Sequence, residues 1–265
     1  MTGHPAYAEP REVTEFATVV LQHNPGVMTL DGTNSLVLRA PGSAISVVVD
    51  PGERESQGQD PAHLDVLAAA AGAVELVLIT HHHPDHYGAA AEFAERVGAP
   101  VRAFDAKLCL GGGTALSDGE RVDAAGLDIE VLHTPGHTHD SVSFVVHRAS
   151  GPVVLTGDTI LGKGTTVIDS LGDYLGSLRR LADTPSAAIG LPGHGPELGD
   201  IAETAREYLE HRQQRLDQVR GALAALGPEA SARQVVEHVY VDVDRSLWPA
   251  AEHSVRAQLE YLRGA

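Results

Sequence analysis

The chain has 265 residues, 43% of them apolar, and a formal net charge of −17 at pH 7. That is enough apolar sequence for one large core, or a core with a small appendage, and it excludes a disordered chain. No apolar run reaches the ~18 residues that a membrane span needs, and 19 basic against 36 acidic side chains leave no basic footprint for double-stranded DNA.

The N-terminal stretch has neither a basic start nor an apolar h-region, and Cys109 is the single cysteine. Both predict a cytoplasmic protein without disulfides. FATVVLQ (16–22), SLVLRA (35–40) and AISVVVD (44–50) are rich in β-branched residues and end in turn signals, so three strands are expected. PAHLDVLAAAAG (61–72) reads as a helix, with Asp60 as N-cap, Pro61 at the first position and Gly72 at the end. ELVLIT (75–80) has the length and composition of a buried strand. HYGAAAEFAERVG (86–98) predicts a helix whose positive N-terminal end faces the histidines before it. LDIEVLHT (127–134), SVSFVVHR (141–148) and PVVLTGD (152–158) follow as strands, GDYLGSLRRLAD (172–183) as a helix and AAIGLPG (187–193) as a last strand. Beyond residue 200 the pattern turns wholly helical, over 197–227, 231–243 (with Ser231 as N-cap) and 249–265. The expectation is a layered α/β catalytic domain over 1–200 and a helical segment over 201–265.

The chemistry concentrates in HHHPDH (81–86), just after the strand ELVLIT. A strand end is a rigid platform for loop residues, and imidazole and carboxylate donors suit zinc and similar divalent ions. The spacing lets His81 and His83 face one metal while His82 faces away, and Asp85 and His86 turn toward a second position. Three later loops each add one donor next to glycine: His137 in TPGHTHDS, Asp158 in LTGDT and His194 in LPGHG. Asp50 closes the strand VVVD. No G-x-S-x-G elbow offers a serine nucleophile.

This set, H-x-H-x-D-H followed by a His, an Asp and a His, resembles the metallo-β-lactamase-fold hydrolase superfamily. The resemblance implies an αββα sandwich with two divalent metal ions at one edge, of which zinc is the expected identity and manganese and iron are the alternatives. It places His81, His83 and His137 on the first metal, and Asp85, His86 and His194 on the second. Asp158 bridges them, and Asp50 orients the metal-binding loop from behind. Asp85 and Asp158 are the candidate catalytic carboxylates, beside a metal-bridging hydroxide. The stretch GDTILGKGTTVIDSLGDYLGSLRRL, with LPGHGP and YLEHRQQRLDQV, resembles more narrowly the group containing beta-lactamase-like protein 2. That likeness implies a winged-helix-like C-terminal part, expected here in truncated form because a wing would continue past Ala265. It also implies single-stranded RNA as substrate. The alternative substrate is a small thioester, lactone or β-lactam-like carbonyl compound, as in glyoxalase II-like or acyl-thioesterase-like relatives, and the acidity of the chain favours it. Lys163, in the glycine-rich loop LGKG, is the candidate receptor for an anionic part of the substrate, and Asn34, in LDGTNS, the candidate opposite wall or an ordinary turn residue. A homodimer is compatible with the sequence.

Overall fold

The computed structural model describes residues 6–7, 9–54, 62–148, 151–185 and 188–264. Asp60 and Pro61, the expected cap and first position of the first helix, lie outside them.

Two sheets face each other. The first runs in the order β1 (Arg11–Glu12), β2 (Ala17–Leu21), β3 (Asn34–Leu38), β4 (Ile45–Val49), β5 (Ala73–Leu78) and β6 (Val101–Arg102). The second runs in the order β11 (Ile189–Pro192), β10 (Val153–Gly157), β9 (Val142–His147), β8 (Leu127–His133) and β7 (Arg121–Ala124). Side chains alternate across each strand and both faces are buried. Leu36 and Leu38 of β3 point inward, with Val47, Val49, Ile129, Phe144 and Leu155, and form the core between the sheets. Val37, Val48 and Val77 point outward against Leu64 and Leu67 of α1 (Ala62–Ala71) and Phe93 of α3 (Ala90–Val97). On the other side, Val145 and Val154 meet α4 (Leu171–Ala182) and α5 (Ile201–Leu226). The layers are therefore helix, sheet, sheet, helix, as expected.

The C-terminal helices are an extension of the second outer layer. The side chains of α5 belong to the α4 layer up to Leu216, through Ala205, Tyr208 and Leu216, and to a separate cluster beyond it, through Val219 and Ala222. That cluster adds α6 (Ala232–Val239) and α7 (Trp248–Gly264). Ser231 caps α6 in a reciprocal capping box with Gln234. No strand follows β11 among the described residues, so this segment carries helices and no wing.

Two expectations need correction. The helix expected over 86–98 is broken into one turn, α2 (Pro84–Tyr87), and α3. The His86 carbonyl accepts from the Gly52 amide at 3.2 Å, and the Ala89 amide donates to the Gly52 carbonyl at 2.9 Å. A tertiary contact thus takes the backbone groups that would have continued the helix. There is no long helix N-terminus behind the histidines; the single turn instead carries Asp85 and His86 themselves. The helix expected over 231–243 stops at Val239, and the chain turns so that the Trp248 indole N–H donates to the Val243 carbonyl at 3.0 Å.

Candidate metal centre

All seven candidate ligands and Asp50 stand at the same edge of the sandwich. Asp50 follows β4, residues 81–86 follow β5, His137 lies between β8 and β9, Asp158 follows β10 and His194 follows β11. The edge is sewn together across the sheets: the Asn34 amide donates to the Gly193 carbonyl at 2.8 Å. Gly193 has to be glycine, because a Cβ there would stand 2.6 Å from Asp158 Oδ1.

The donor atoms converge in two groups. In the first, His83 Nδ1 is 3.1 Å from His81 Nε2 and 3.0 Å from His137 Nε2. In the second, His194 Nε2 is 3.2 Å from His86 Nε2 and 3.0 Å from Asp85 Oδ2. Asp158 lies between them, with Oδ2 3.7 Å from His137 Nε2 and 3.4 Å from His194 Nε2. Two ligands on a tetrahedral ion with ~2.1 Å bonds are ~3.4 Å apart, so these spacings match donors placed around an ion.

The outward nitrogens fix the tautomers. His137 Nδ1 donates to the Val167 carbonyl at 2.7 Å, His194 Nδ1 to the Gly32 carbonyl at 3.0 Å, and His86 Nδ1 to Asp50 Oδ2 at 2.8 Å. A carbonyl or carboxylate only accepts, so Nδ1 carries a proton and Nε2 is the nitrogen turned inward for a cation. His81 Nδ1 meets the Thr80 hydroxyl at 3.0 Å, and that hydroxyl donates onward to Asp50 Oδ2 at 2.6 Å. Asp50 has φ +51°, a left-handed turn that Asp tolerates better than most residues; its Oδ1 also accepts the Thr80 amide at 2.8 Å. One buried carboxylate thus holds His86 directly and His81 through Thr80. Asp158 Oδ1 is buried without a hydrogen-bond partner, which a bound cation would supply. The residues present fit the two divalent cations that the motif implies.

Electrostatics divides the groups. Desolvation, reinforced by neighbouring imidazoles, holds His81 well below the ordinary value and brings His83 down to about 4. At His86 and His194 burial acts the same way, but the Asp158 charge outweighs it with help from Asp50 and Asp85; His86 is raised and His194 stands at about 9. Burial opposes the ionised forms of Asp85 and Asp158, and the contacts with His194 and His86 overcome it, so both carboxyls lie well below the usual range.

A groove of about 770 Å³ opens on His83, Asp85, His137 and Asp158. Its lining is mainly apolar, with Val27, Met28 and Leu30, Leu161 and Val167, and Leu247, Pro249 and Ala250 from the C-terminal segment; Thr165, Thr166, Asp169, Ser246 and His253 add polar groups. Lys163 lines it, and is the single lysine or arginine to do so among the described residues. Asn34 does not line it. Its Nδ2 donates to the Pro192 and Gly195 carbonyls at 3.0 and 2.9 Å, so it pins the His194 loop instead. Sequence reasoning missed Thr80, the carbonyls of Gly32 and Val167, and the groove walls. Thr80 had a signal, as a polar residue closing an apolar strand just before the ligands. The carbonyls had none.

Residues 28–194 match the family model described as Metallo-beta-lactamase superfamily, and residues 231–263 match the Beta-lactamase associated winged helix domain. A Beta-lactamase-like protein 2 homolog from Caenorhabditis elegans is 32% identical over 263 residues, covering 97% of this chain and 87% of that protein. The atrochrysone carboxyl ACP thioesterase of Passalora fulva is 28% identical over 226 residues, covering 85% of this chain and 67% of that protein. Among solved structures, a metallo-beta-lactamase family protein from Thermus thermophilus superposes with a TM-score of 0.76 at 26% identity, over 96% of this chain and 95% of that one.

Proposed function

The chain belongs to the metallo-β-lactamase superfamily and is a hydrolase of that family, and from this premise we propose that it cleaves a small acyl substrate, of thioester or related carbonyl chemistry, on a centre holding two divalent cations. The observation that carries the substrate class is the apolar groove over the ligand cluster. Apolar walls suit an acyl group, and Lys163 at the rim suits one anionic group on the remainder of the substrate. The thioesterase of Passalora fulva adds support by likeness. The seven side chains would hold the cations, zinc first among those that His and Asp donors accept. Bound there, the pair supplies Lewis acidity and makes a water acidic enough to attack near neutral pH.

The chain's own groups do the rest. Asp50, Val167 and Gly32 hold a ring proton on Nδ1 of His86, His137 and His194, so the inward Nε2 is the nitrogen left for a cation. Asp85 has 21% side-chain exposure against 8% for Asp158, so it is the floor carboxylate that water reaches. Asp85 takes the proton of the attacking water as its oxygen adds to the acyl carbon. The acyl–sulfur bond then breaks, and the proton passes to the departing sulfur.

A single-stranded RNA substrate would need several cations tracking phosphates, and the groove offers Lys163 alone among its described residues. Metal-loaded protein assayed on acyl thioesters from acetyl to dodecanoyl, and on labelled single-stranded RNA, separates the two. The expected result is thioester turnover that rises with acyl length and is lost in Asp85→Ala. RNA cleavage lost in Asp85→Ala, with no thioester turnover, refutes it.

A further inference from the structure

We propose that His82, His139 and Asp140 form a further divalent-cation site at the rim, where the loop carrying residues 81–83 meets the loop carrying residues 137–140. None of the three belongs to the seven-ligand centre. His82 alternates away from His81 and His83, and its Nδ1 comes to 2.7 Å from Asp140 Oδ1. One ligand atom from each of His82, His139 and Asp140 lies within 4.8 Å of the others. Two imidazoles and a carboxylate form a donor set that takes zinc, nickel or copper.

A second observation points to the ligand. Asp140 is 1% exposed. Its Oδ1 serves both His82 and the Thr138 hydroxyl, the latter at 2.7 Å, while its Oδ2 is buried with no hydrogen-bond partner. A buried carboxylate oxygen left unsatisfied is costly, and a cation held jointly with the two histidines would supply its partner. The loop is already held in place: the His133 ring stacks on Phe104 at 3.9 Å, and His133 Nε2 donates to the His139 carbonyl at 3.0 Å. His82 keeps 41% of its side chain exposed and His139 is exposed too. The ion is therefore open to water on one side and exchanges faster than ions on the buried ligands. Its role is a clamp between the two loops that carry His81, His83 and His137.

The test is a Zn²⁺ titration of the chelator-stripped full chain against a chromophoric competitor, run on the unmodified protein and on His139→Ala. His139 is exposed and outside the core, so the variant keeps the fold, which a thermal melt checks. The expected result is one fewer weak equivalent in His139→Ala, with the tighter equivalents unchanged, and the same loss in His82→Gln. The comparison reads a difference of one ion, so it stands whatever number the main centre takes. Identical stoichiometry in His139→Ala and the unmodified protein overturns the proposal, whether because no such ion binds or because the weak ion sits elsewhere.

Discussion

An Asp50→Asn substitution keeps the side chain's shape and removes its charge. Asp50 Oδ1 accepts the Thr80 amide at 2.8 Å, and Oδ2 accepts both the Thr80 hydroxyl at 2.6 Å and the His86 ring N–H at 2.8 Å. In the Asn variant Oδ1 keeps the amide contact, which forces Nδ2 into the position of Oδ2. An NH₂ group can only donate, so His86 Nδ1 must become an acceptor and its proton moves to Nε2. Nε2 is the atom that stands 3.2 Å from His194 Nε2 and 3.5 Å from Asp85 Oδ2, and once protonated it is lost as a ligand. Removing such a partner of a metal-binding His costs about 10–100-fold in affinity, or about 1.4–2.7 kcal/mol. His81 suffers less, because the Thr80 hydroxyl can still accept from its Nδ1. Stepwise Zn²⁺ affinities by competition titration should therefore show the ion on Asp85, His86 and His194 weakened by about that factor, and the ion on His81, His83 and His137 weakened less. Equal affinities for both ions in Asp50→Asn and the unmodified protein would refute the tautomer argument.

The remaining predictions address protonation, the groove and the core. Zn²⁺ uptake at pH 7 should release protons, because His86 is raised and His194 stands at about 9 before metal binding; calorimetry in buffers of different ionisation enthalpy measures it, and a buffer-independent heat contradicts it. In chelator-stripped protein, the raised His194 contributes stability that is complete below an unfolded value of about 6.5 and lost as the pH climbs toward about 9. His83 acts in the opposite sense, since a ring brought down to about 4 resists the proton that the unfolded chain accepts, so stability falls as the pH drops from about 6.5 toward 4; melts across pH show both flanks. Leu247→Glu should lower kcat/KM for long acyl thioesters by about 10–100-fold, the worth of the leucine surface that a bound acyl chain would cover, and leave acetyl substrates nearly unchanged. Phe144→Ala, at a fully buried position between the sheets, should destabilise the fold by about 3–5 kcal/mol in urea unfolding.

The parts of this molecule that were legible in the sequence are those where one local pattern carries the whole signal. Each of the seven candidate ligands follows a strand-like run, and those in the three later loops sit beside a glycine; the strand fixes the direction and the glycine admits close approach, which is why they meet at one edge. Asp50 was legible for the same reason. The break between α2 and α3 was not, because it depends on Gly52, more than thirty residues earlier, reaching the carbonyl of His86. Asn34 read as a wall residue or an ordinary turn residue because its turn comes early and near nothing obvious; in space it meets the His194 loop, some 160 positions away. The short strands β1 and β6 have too few residues to show a period. The groove was beyond sequence reasoning, since Met28 and Leu247 line one groove only once the C-terminal segment folds back over the edge of the sandwich.

The central claim is that seven side chains from separate strand ends hold two cations with Asp158 between them. Anomalous diffraction at the zinc edge, from crystals of the zinc-loaded chain, tests it most directly. Two peaks are expected on the floor of the groove, one among His81, His83 and His137 and one among Asp85, His86 and His194, with the Asp158 carboxylate reaching both. A single peak there, or a pair that Asp158 does not touch, contradicts it.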